Sequence, residues 1–454
     1  MTREELVQLS TDELITLVLR QGEILLLLQE QIHLLSERVA QLEAHLAGRK
    51  PPKGKAAMGC VRPNVAKPAA EQQKPRKKRM QGFARKREES THYVQHAVAK
   101  CPDCGCTLRG GYIRRRRQVL HIPVVPVQVI EHEIIARQCP QCGREAVPKV
   151  DLTAEVVGQH RVSAQTMSLV TTLREVGRVP LRTIQWYLRA LHGLKLSLGE
   201  LVAILHDVAK QGRATLERLK GQIRASPVVH GDETGWRENG RNGYIWTFST
   251  PQIRYFLYRQ SRSGKVVTEV LSEAFEGHLV SDFYGGYNRM EGRHQRCWTH
   301  LLRDIHELRE EHPDDTVLQR WARRVYRLFL WAKAFHSGDA ERRVRAQHLF
   351  ERLLSGLCQP FLQGQRPQRT LCVRIERFLP ELFAFVADPR VPADNNAAER
   401  SLRPLVVSRK ISGGTRSPEG SNTKMVLASL FGTWHVQGLN PFESCHNLLL
   451  SPQV

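Results

Sequence analysis

Hydrophobic residues near the start of the chain recur at helical spacing. Intervals of three and four alternate without a break along Leu25, Leu28, Ile32, Leu35, Val39, Leu42 and Leu46. This is a heptad seam, and mostly β-branched residues at its inner a positions with Leu at d favour a parallel two-stranded coil. An amphipathic helix packed on its own domain is the alternative. Because only a basic segment adjoins it, we interpret residues 1–47 as a coiled-coil oligomerisation helix.

Helical periodicity returns between residues 163 and 220. Two predicted helices, 181–191 and 198–208, flank a short turn that contains Gly193. A DNA-reading helix-turn-helix and a plain helical hairpin both fit this pattern. We therefore predict a helical region over residues 151–225 and leave DNA reading by it open.

Short apolar runs replace the helical period after Ser226. Strands are predicted over residues 227–230, 244–248, 253–258 and 278–281, with a helix over 265–275 before the last strand. Asp232 and Asp282 each follow one of these runs, so we expect both at the exit of a short strand, where a side chain reaches a cleft. A further helix is predicted to open near Asp394, with Asn396, Glu399 and Arg403 on one face.

The charge is strongly positive, with 68 Lys and Arg against 45 Asp and Glu and a formal net charge of +23. Residues 49–87 alone hold fourteen Lys or Arg and one acid, together with five prolines. We interpret residues 48–90 as a flexible basic linker, because so few apolar residues cannot offset its conformational entropy. Its cluster Arg76, Lys77, Lys78 and Arg79 is a candidate DNA phosphate contact; a merely solubilising linker is the alternative.

Composition and the first residues also indicate where in the cell the protein is expected. The hydrophobic fraction of 41% excludes wholesale disorder, and no apolar run approaches a membrane span. The first residues lack the basic-then-apolar layout of a signal peptide. We therefore expect a cytoplasmic, nucleoid-associated protein with a nucleic-acid partner and no membrane partner.

Two cysteine pairs indicate a metal site. The sequence is CPDCG at residues 101–105 and CPQCG at 139–143. Each such knuckle turns two thiolates toward one ion, so Cys101, Cys104, Cys139 and Cys142 predict a closed structural Zn²⁺ site within residues 91–150. Cys106 is a competing ligand, and disulfides are the alternative for the pairs. Val- and Ile-rich residues 118–135 suit a small ribbon of strands.

The three acidic side chains Asp232, Asp282 and Glu399 suit Mg²⁺, a hard ion that takes oxygen ligands. Two such ions about 4 Å apart can clamp the attacking and leaving oxygens of a phosphodiester. The alternatives are purely structural roles: a turn at Asp232, a helix cap at Asp282 and a capping box between Asn396 and Glu399. Spacing alone leaves both interpretations open.

Longer motifs add a resemblance. The chain reads HGDETGW at 230–236, SDFYGGYN at 281–288, CWTH at 297–300, DNNAAERSLRP at 394–404 and GTWHVQGLNP at 432–441. Over nearly its full length it resembles the insertion-sequence 66 family of bacterial DDE transposases. The resemblance implies a multidomain α/β protein with an RNase H-like catalytic core over 226–412, a helical insertion over about 304–385 and a helical tail over 413–454.

The resemblance also implies a reaction. Asp232, Asp282 and Glu399 would bind two Mg²⁺ or Mn²⁺ ions that activate water against a phosphodiester at the terminal inverted repeats. The freed 3′-hydroxyl would then join target DNA. Supporting roles fall to Asn396, Arg403, Lys410 and His300, the last at the cleft edge near the core thiol Cys297. Expected partners are double-stranded DNA, a second copy through the coiled coil and accessory proteins of the same element. The rivals are a non-enzymatic zinc DNA-binding protein and a nuclease that cuts without joining.

Overall fold

The computed structural model describes residues 87–153, 155–157 and 160–451. The predicted coiled coil and nearly all of the basic linker, including Arg76 to Arg79, lie outside this part of the chain. The chain divides into two compact units, Met1–Val119 and Leu120–Val454, and each is described by itself.

Both cysteine knuckles adopt the predicted tight turn. In the first unit, the Gly105 N–H donates to the Cys101 carbonyl at 2.9 Å, and Gly105 has φ +72°. In the second unit, Gly143 donates to the Cys139 carbonyl at 2.8 Å with φ +67°, between strands β1 (Arg137–Gln138) and β2 (Glu145–Ala146). Glycine is favoured here because a Cβ disfavours this left-handed backbone.

The ribbon of strands expected at residues 118–135 is absent, and that prediction was wrong. None of these residues is assigned to a strand, and all are exposed. Pro123 and Pro126 lack the N–H that a strand ladder needs. The segment instead meets a helix end, where the Val127 N–H donates to the His192 carbonyl at 2.7 Å. Its valines and isoleucines therefore have β propensity but no sheet to join.

The helical middle follows its pattern closely. Its four helices are α1 (Ala164–Glu175), α2 (Leu181–His192), α3 (Leu198–Gln211) and α4 (Arg213–Arg224). Helix α2 ends at Gly193, which has φ +70°, and α3 starts with a capping box between Ser197 and Glu200. The two predicted helices and the turn between them at Gly193 are confirmed.

A five-stranded mixed sheet follows. Its elements are β3 (Val228–Glu238), β4 (Arg241–Ser249), β5 (Arg254–Arg259), α5 (Lys265–Leu271), β6 (His278–Ser281) and β7 (Arg293–Arg296). The strand order is β5-β4-β3-β6-β7, antiparallel from β3 to β5 and parallel from β3 to β7. The predicted β-β-β-α-β order is confirmed. Strand β7 was not foreseen, and α5 ends earlier than expected, before Ser272 with φ +67°.

The C-terminal helices cover the antiparallel edge of the sheet. They are α11 (Asn396–Ser412), α12 (Pro418–Val436) and α13 (Pro441–Leu450). The Phe256 N–H of β5 donates to Ser429 Oγ at 2.8 Å, and the Arg254 N–H donates to Thr433 Oγ1 at 3.0 Å. Two hydroxyls of α12 thus satisfy donors of an edge strand that no further strand pairs.

One hydrophobic core joins the middle, the sheet and the tail. Buried side chains from all three segments pack in a single cluster, including Ile204, Val208, Phe248, Leu257 and Leu430. The helices before Ser226 and after Ser412 therefore support the sheet directly.

The segment between β7 and α11 is mainly helical, as predicted, and begins slightly earlier. It comprises α6 (Trp298–Glu311), α7 (Thr316–Ala334), α8 (Ala340–Cys358), α9 (Arg369–Arg377) and α10 (Ala384–Ala387). It has its own aromatic core, in which the Trp298 ring lies 4.8 Å from Phe329 and 5.3 Å from Phe383. Among the described helices, none combines the length and apolarity needed to span a bilayer.

Candidate active site

Two aspartates follow the stretch over which strands β3 and β6 pair in parallel. The last registered pair of β3 and β6 is His230 with Val280. Asp232 and Asp282 each follow two residues later, so the pleat directs both side chains to the same face of the sheet. Asp282 lies just beyond the end of β6, as predicted.

Asp232 is placed differently from the prediction, because it lies inside an eleven-residue strand rather than at a strand exit. Beyond His230 the strand leaves β6 and stays paired with β4, ending at the hairpin turn Asn239-Gly240. Both turn residues have positive φ, +48° and +77°. Asn-Gly is a strong hairpin signal, so the longer strand was readable from the sequence.

A buried asparagine forms hydrogen bonds that join the start of α11 to β3. The Asn395 Nδ2 donates to the Gly231 carbonyl at 2.7 Å, and its Oδ1 lies 3.0 Å from His230 Nδ1. The amide oxygen must accept, so His230 Nδ1 carries the proton. Burial lowers the pKa of His230, which favours the neutral form of its ring. Because α11 starts here and packs on β3 and β4, Glu399 in its first turn lies near enough to Asp232 for its charge to raise the pKa of that carboxyl.

Cys297 and His300 lie on either side of the start of α6. Cys297 is buried, its Sγ accepts the Asn395 N–H at 3.1 Å, and burial raises the pKa of its thiol to about 11. His300 Nε2 lies 3.7 Å from Glu399 Oε1, and both side chains are partly exposed. The thiol thus packs in the core, whereas the imidazole borders Glu399. We call Asp232, Asp282 and Glu399 together the acidic centre.

The electrostatics of Asp232 reflect the crowding of acids. Burial, followed by the charge of Glu233, raises the pKa of Asp232 to about 8. The Glu233 N–H, which donates to Asp232 Oδ1 at 2.8 Å, opposes this rise, while the charges of Asp282 and Glu399 add to it. A carboxyl with such neighbours releases its proton readily only when a cation compensates the charge.

Glu233 is a residue of the site that the sequence analysis missed. Its buried carboxylate accepts from Arg262 Nε at 2.9 Å and from the Tyr287 hydroxyl at 2.5 Å. Burial raises the pKa of Glu233, and these two bonds lower it. Arg262 also stacks on Tyr284, with its guanidinium carbon 3.8 Å from the ring centre. Glu233 is thus neutralised by an arginine, whereas Asp232 has no comparable partner among the described residues.

The turn that carries Asp282 is fixed from two sides. Its carboxylate accepts the Tyr284 N–H at 2.9 Å, and its carbonyl accepts from Arg296 Nη1 at 3.0 Å. Arg296 is fully buried and also donates to Glu381 and Asn288, at 2.5 and 2.7 Å. Arg296 is the last residue of strand β7, which the sequence pattern did not predict. This strand therefore positions Asp282 through Arg296.

Gly264 allows the Arg262 loop to approach the Asp282 turn. A Cβ at Gly264 would lie 2.2 Å from the Gly286 carbonyl oxygen, a backbone atom that cannot swing away. We expect Gly264→Ala to lower the free energy of unfolding by about 1–3 kcal/mol. Urea unfolding measures this effect. Gly285→Ala, where nothing lies within 4 Å of the added Cβ, is the matched control. Equal behaviour of the two variants contradicts this account.

The remaining predicted residues lie along α11. The Asn396 N–H donates to Asp394 Oδ1 at 3.1 Å, Arg403 is half-buried and Lys410 is exposed. Arg409, one residue before Lys410, donates to Thr234 Oγ1 at 3.2 Å and to the Gly235 carbonyl. Arg409 therefore binds the strand that holds Asp232, and further basic side chains stand along α11 beyond Glu399.

The donor sets suit the expected ions. Asp232, Asp282 and Glu399 offer only carboxylate oxygens, the ligands that Mg²⁺ and Mn²⁺ prefer, in a centre with excess negative charge. In the first unit, the ligand atoms of Cys101, Cys104 and Cys106 lie within 4.8 Å of one another. The Cys106 N–H lowers the pKa of the Cys104 thiol, and the Cys142 N–H lowers that of Cys139. Stabilised thiolates in tight turns are suited to Zn²⁺.

Comparison with known proteins places this site in a family. The family model described as "Transposase IS66 family" matches residues 159–423, more than half of the chain, and this range includes Asp232, Asp282 and Glu399. Two relatives come from Sinorhizobium fredii (strain NBRC 101917 / NGR234). "Uncharacterized protein y4jO" is 30% identical over 36% of this chain and 49% of the relative. "Uncharacterized protein y4jD" is 24% identical over 55% of each. The chain thus spans about half the length of these curated relatives, and by the family match it belongs to the IS66 family of transposases.

Proposed function

We propose that this chain is a DNA transposase that cleaves the ends of an insertion sequence and joins their 3′-hydroxyls to target DNA. Family membership supports the transposase role. The single observation that carries the chemistry is the half-buried Asp232, whose pKa is raised to about 8 among neighbours that include Asp282 and Glu399. The mixed sheet with its helical insertion supports an RNase H-like core.

The chain's own residues would divide the work as follows. Asp232 and Asp282 offer oxygen ligands from adjacent strands, and Glu399 offers them from the helix above. Two Mg²⁺ or Mn²⁺ ions, when bound, would supply Lewis-acid stabilisation for the attacking and leaving oxygens of the phosphodiester. His300 borders the Glu399 carboxylate, with its Nε2 3.7 Å from Oε1. Arg403 and Lys410 are suited to bind the DNA backbone, because their positive charges follow Glu399 along α11.

The other segments would serve binding and assembly. A structural Zn²⁺ on the knuckle cysteines Cys101, Cys104, Cys139 and Cys142 is a proposal from the sequence, supported by the thiolate-stabilising turns. Self-association through residues 1–47, DNA contact by the basic linker and by the α2–α3 hairpin, and accessory proteins of the same element are also proposals. Together they would hold two element ends beside the carboxylates.

The test is an incubation of the full chain with duplexes that carry the element's terminal inverted repeats. We expect 3′-end cleavage and strand transfer in Mg²⁺ or Mn²⁺, and neither in EDTA or Ca²⁺. Cleavage without joining would indicate a nuclease instead. Binding to the repeats with no cleavage under any divalent ion would contradict the proposal and favour a non-enzymatic DNA-binding protein.

A further inference from the structure

Helix α7 of the insertion carries four arginines on one exposed face. Arg320, Arg323, Arg324 and Arg327 stand at positions i, i+3, i+4 and i+7, so they share one face of the helix, and all four are exposed. We call this set the arginine stripe. It covers about 10 Å of helix length at 1.5 Å per residue.

The opposite face of α7 packs in the core of the insertion. Leu318, Val325 and Phe329 are buried there. Between Thr316 and Ala334 the helix has five basic residues and no acidic one. The fold therefore needs only the apolar face of α7, and the arginine stripe faces outward without an acid on the same helix to balance it.

The arginine stripe also lacks partners on neighbouring elements. Over the described residues, none of its four side chains forms an ion pair, and only Arg323 makes a side-chain hydrogen bond, to the Gln319 carbonyl of its own helix. Other arginines of the insertion are paired: Arg345 with Glu341, Arg366 with Asp315 and Arg374 with Asp304. Like charges at spacings of three and four on a helix repel one another. An uncompensated cluster of this kind is suited to a polyanion.

Helix α7 is anchored beside the acidic centre. The ring of Phe329 stacks on Trp298 at 4.8 Å, and Trp298 is the first residue of α6, two residues before His300. His300 in turn lies 3.7 Å from Glu399. The C-terminal half of α7 is therefore packed on the helix that borders Glu399. Arg327, the last residue of the arginine stripe, lies two residues before Phe329 in the sequence.

We propose that the arginine stripe binds the phosphate backbone of duplex DNA outside the acidic centre. Arginine donates a planar fork of hydrogen bonds that fits phosphate, and each neutralised phosphate releases counterions. The contact would add affinity and orientation without reading sequence, since backbone contacts position a protein rather than specify a site. This inference rests on the proposed function, because it requires the chain to act on DNA.

The test compares the full chain with the triple variant Arg320→Gln/Arg324→Gln/Arg327→Gln. Glutamine forms helices nearly as well as arginine, so α7 is retained. A charge-matched control, Arg213→Gln/Arg218→Gln/Arg345→Gln, removes three exposed arginines from two other helices. Affinity for an inverted-repeat duplex is measured in Ca²⁺ over a range of salt concentrations. We expect the slope of log affinity against log salt to become shallower by about 2–3 in the triple variant, with little change in the control.

The other outcomes overturn either the inference about the arginine stripe or the proposed function of the chain. Equal losses in the triple variant and the control would show a general charge effect and overturn the inference. A triple variant with unchanged slope but altered mass by light scattering would assign the stripe to contact with a second copy. A wild-type chain that does not bind or cleave the repeats would instead contradict the proposed function. Wild-type cleavage with an unchanged slope in the triple variant would overturn the inference alone.

Discussion

Asp282→Ala is expected to lower the rate of DNA-end cleavage at least about 10³-fold while binding to the repeats is retained. The loss follows because a metal ligand contributes several kcal/mol of transition-state stabilisation, and each 1.4 kcal/mol changes a rate about tenfold. Binding is retained because phosphate contacts come from basic side chains elsewhere. Cleavage is measured in Mg²⁺, and binding in Ca²⁺.

Two further variants make this result specific. Asp282→Asn keeps an oxygen that can accept the Tyr284 N–H, so it removes the charge with little change in the turn. It should be as defective as the alanine variant. Asp314→Ala, which removes an exposed aspartate from the insertion, should cleave like the wild type. Cleavage by Asp282→Asn within tenfold of the wild-type rate would remove Asp282 from the catalytic set.

Asp232→Asn is expected to stabilise the metal-free protein at neutral and alkaline pH. The pKa of Asp232 is raised to about 8 from an ordinary value of 3.8, so the folded state binds this proton more tightly than the unfolded state. Wild-type stability therefore falls as the pH rises through the window from about 4 to 8. Asparagine carries no charge and avoids this loss. Between pH 5 and 8.5 the advantage of the variant should grow by about 2–4 kcal/mol.

Urea unfolding in EDTA at the two pH values measures this difference, with Asp314→Asn as the control of an exposed carboxylate. Adding Mg²⁺ should then stabilise the wild type and leave Asp232→Asn nearly unchanged, because only the carboxylate of the wild-type residue binds the ion. A variant that is less stable than the wild type at pH 8.5 in EDTA would contradict the proposed crowding of charge.

The sequence predicted those elements whose pattern is local. Apolar runs located β6 and the first residues of β3, and helical spacing located α2, α3 and the insertion. The prediction of strands at residues 118–135 failed because Val and Ile content indicates only a β propensity. A strand also needs a neighbouring strand and backbone N–H groups that can pair with it. Strand β7 was missed because His294, Gln295 and Arg296 are polar, yet all three are buried.

The candidate site was only partly predictable for the same reason. Asp232, Asp282 and Glu399 stand in motifs that can be recognised one at a time. Glu233, by contrast, is identified by Arg262, 29 residues away, and by Tyr287, 54 residues away. No periodic pattern links positions so far apart. The role of Arg296 likewise depends on contacts with Glu381, 85 residues later, which only the folded chain brings together.

The hydroxyls of Ser429 and Thr433 that satisfy the N–H groups of β5 also bear on the synthesis of the chain. Residues 254–259 emerge from the ribosome long before residues 418–436, which cover them. Until then β5 presents an unsatisfied edge to other nascent chains, and an edge of this kind invites pairing between molecules. A chain terminated after Ser412 would contain all three carboxylates and still lack the segment that closes the sheet. The segment after Ser412 thus closes the exposed edge of the sheet on which Asp232 lies.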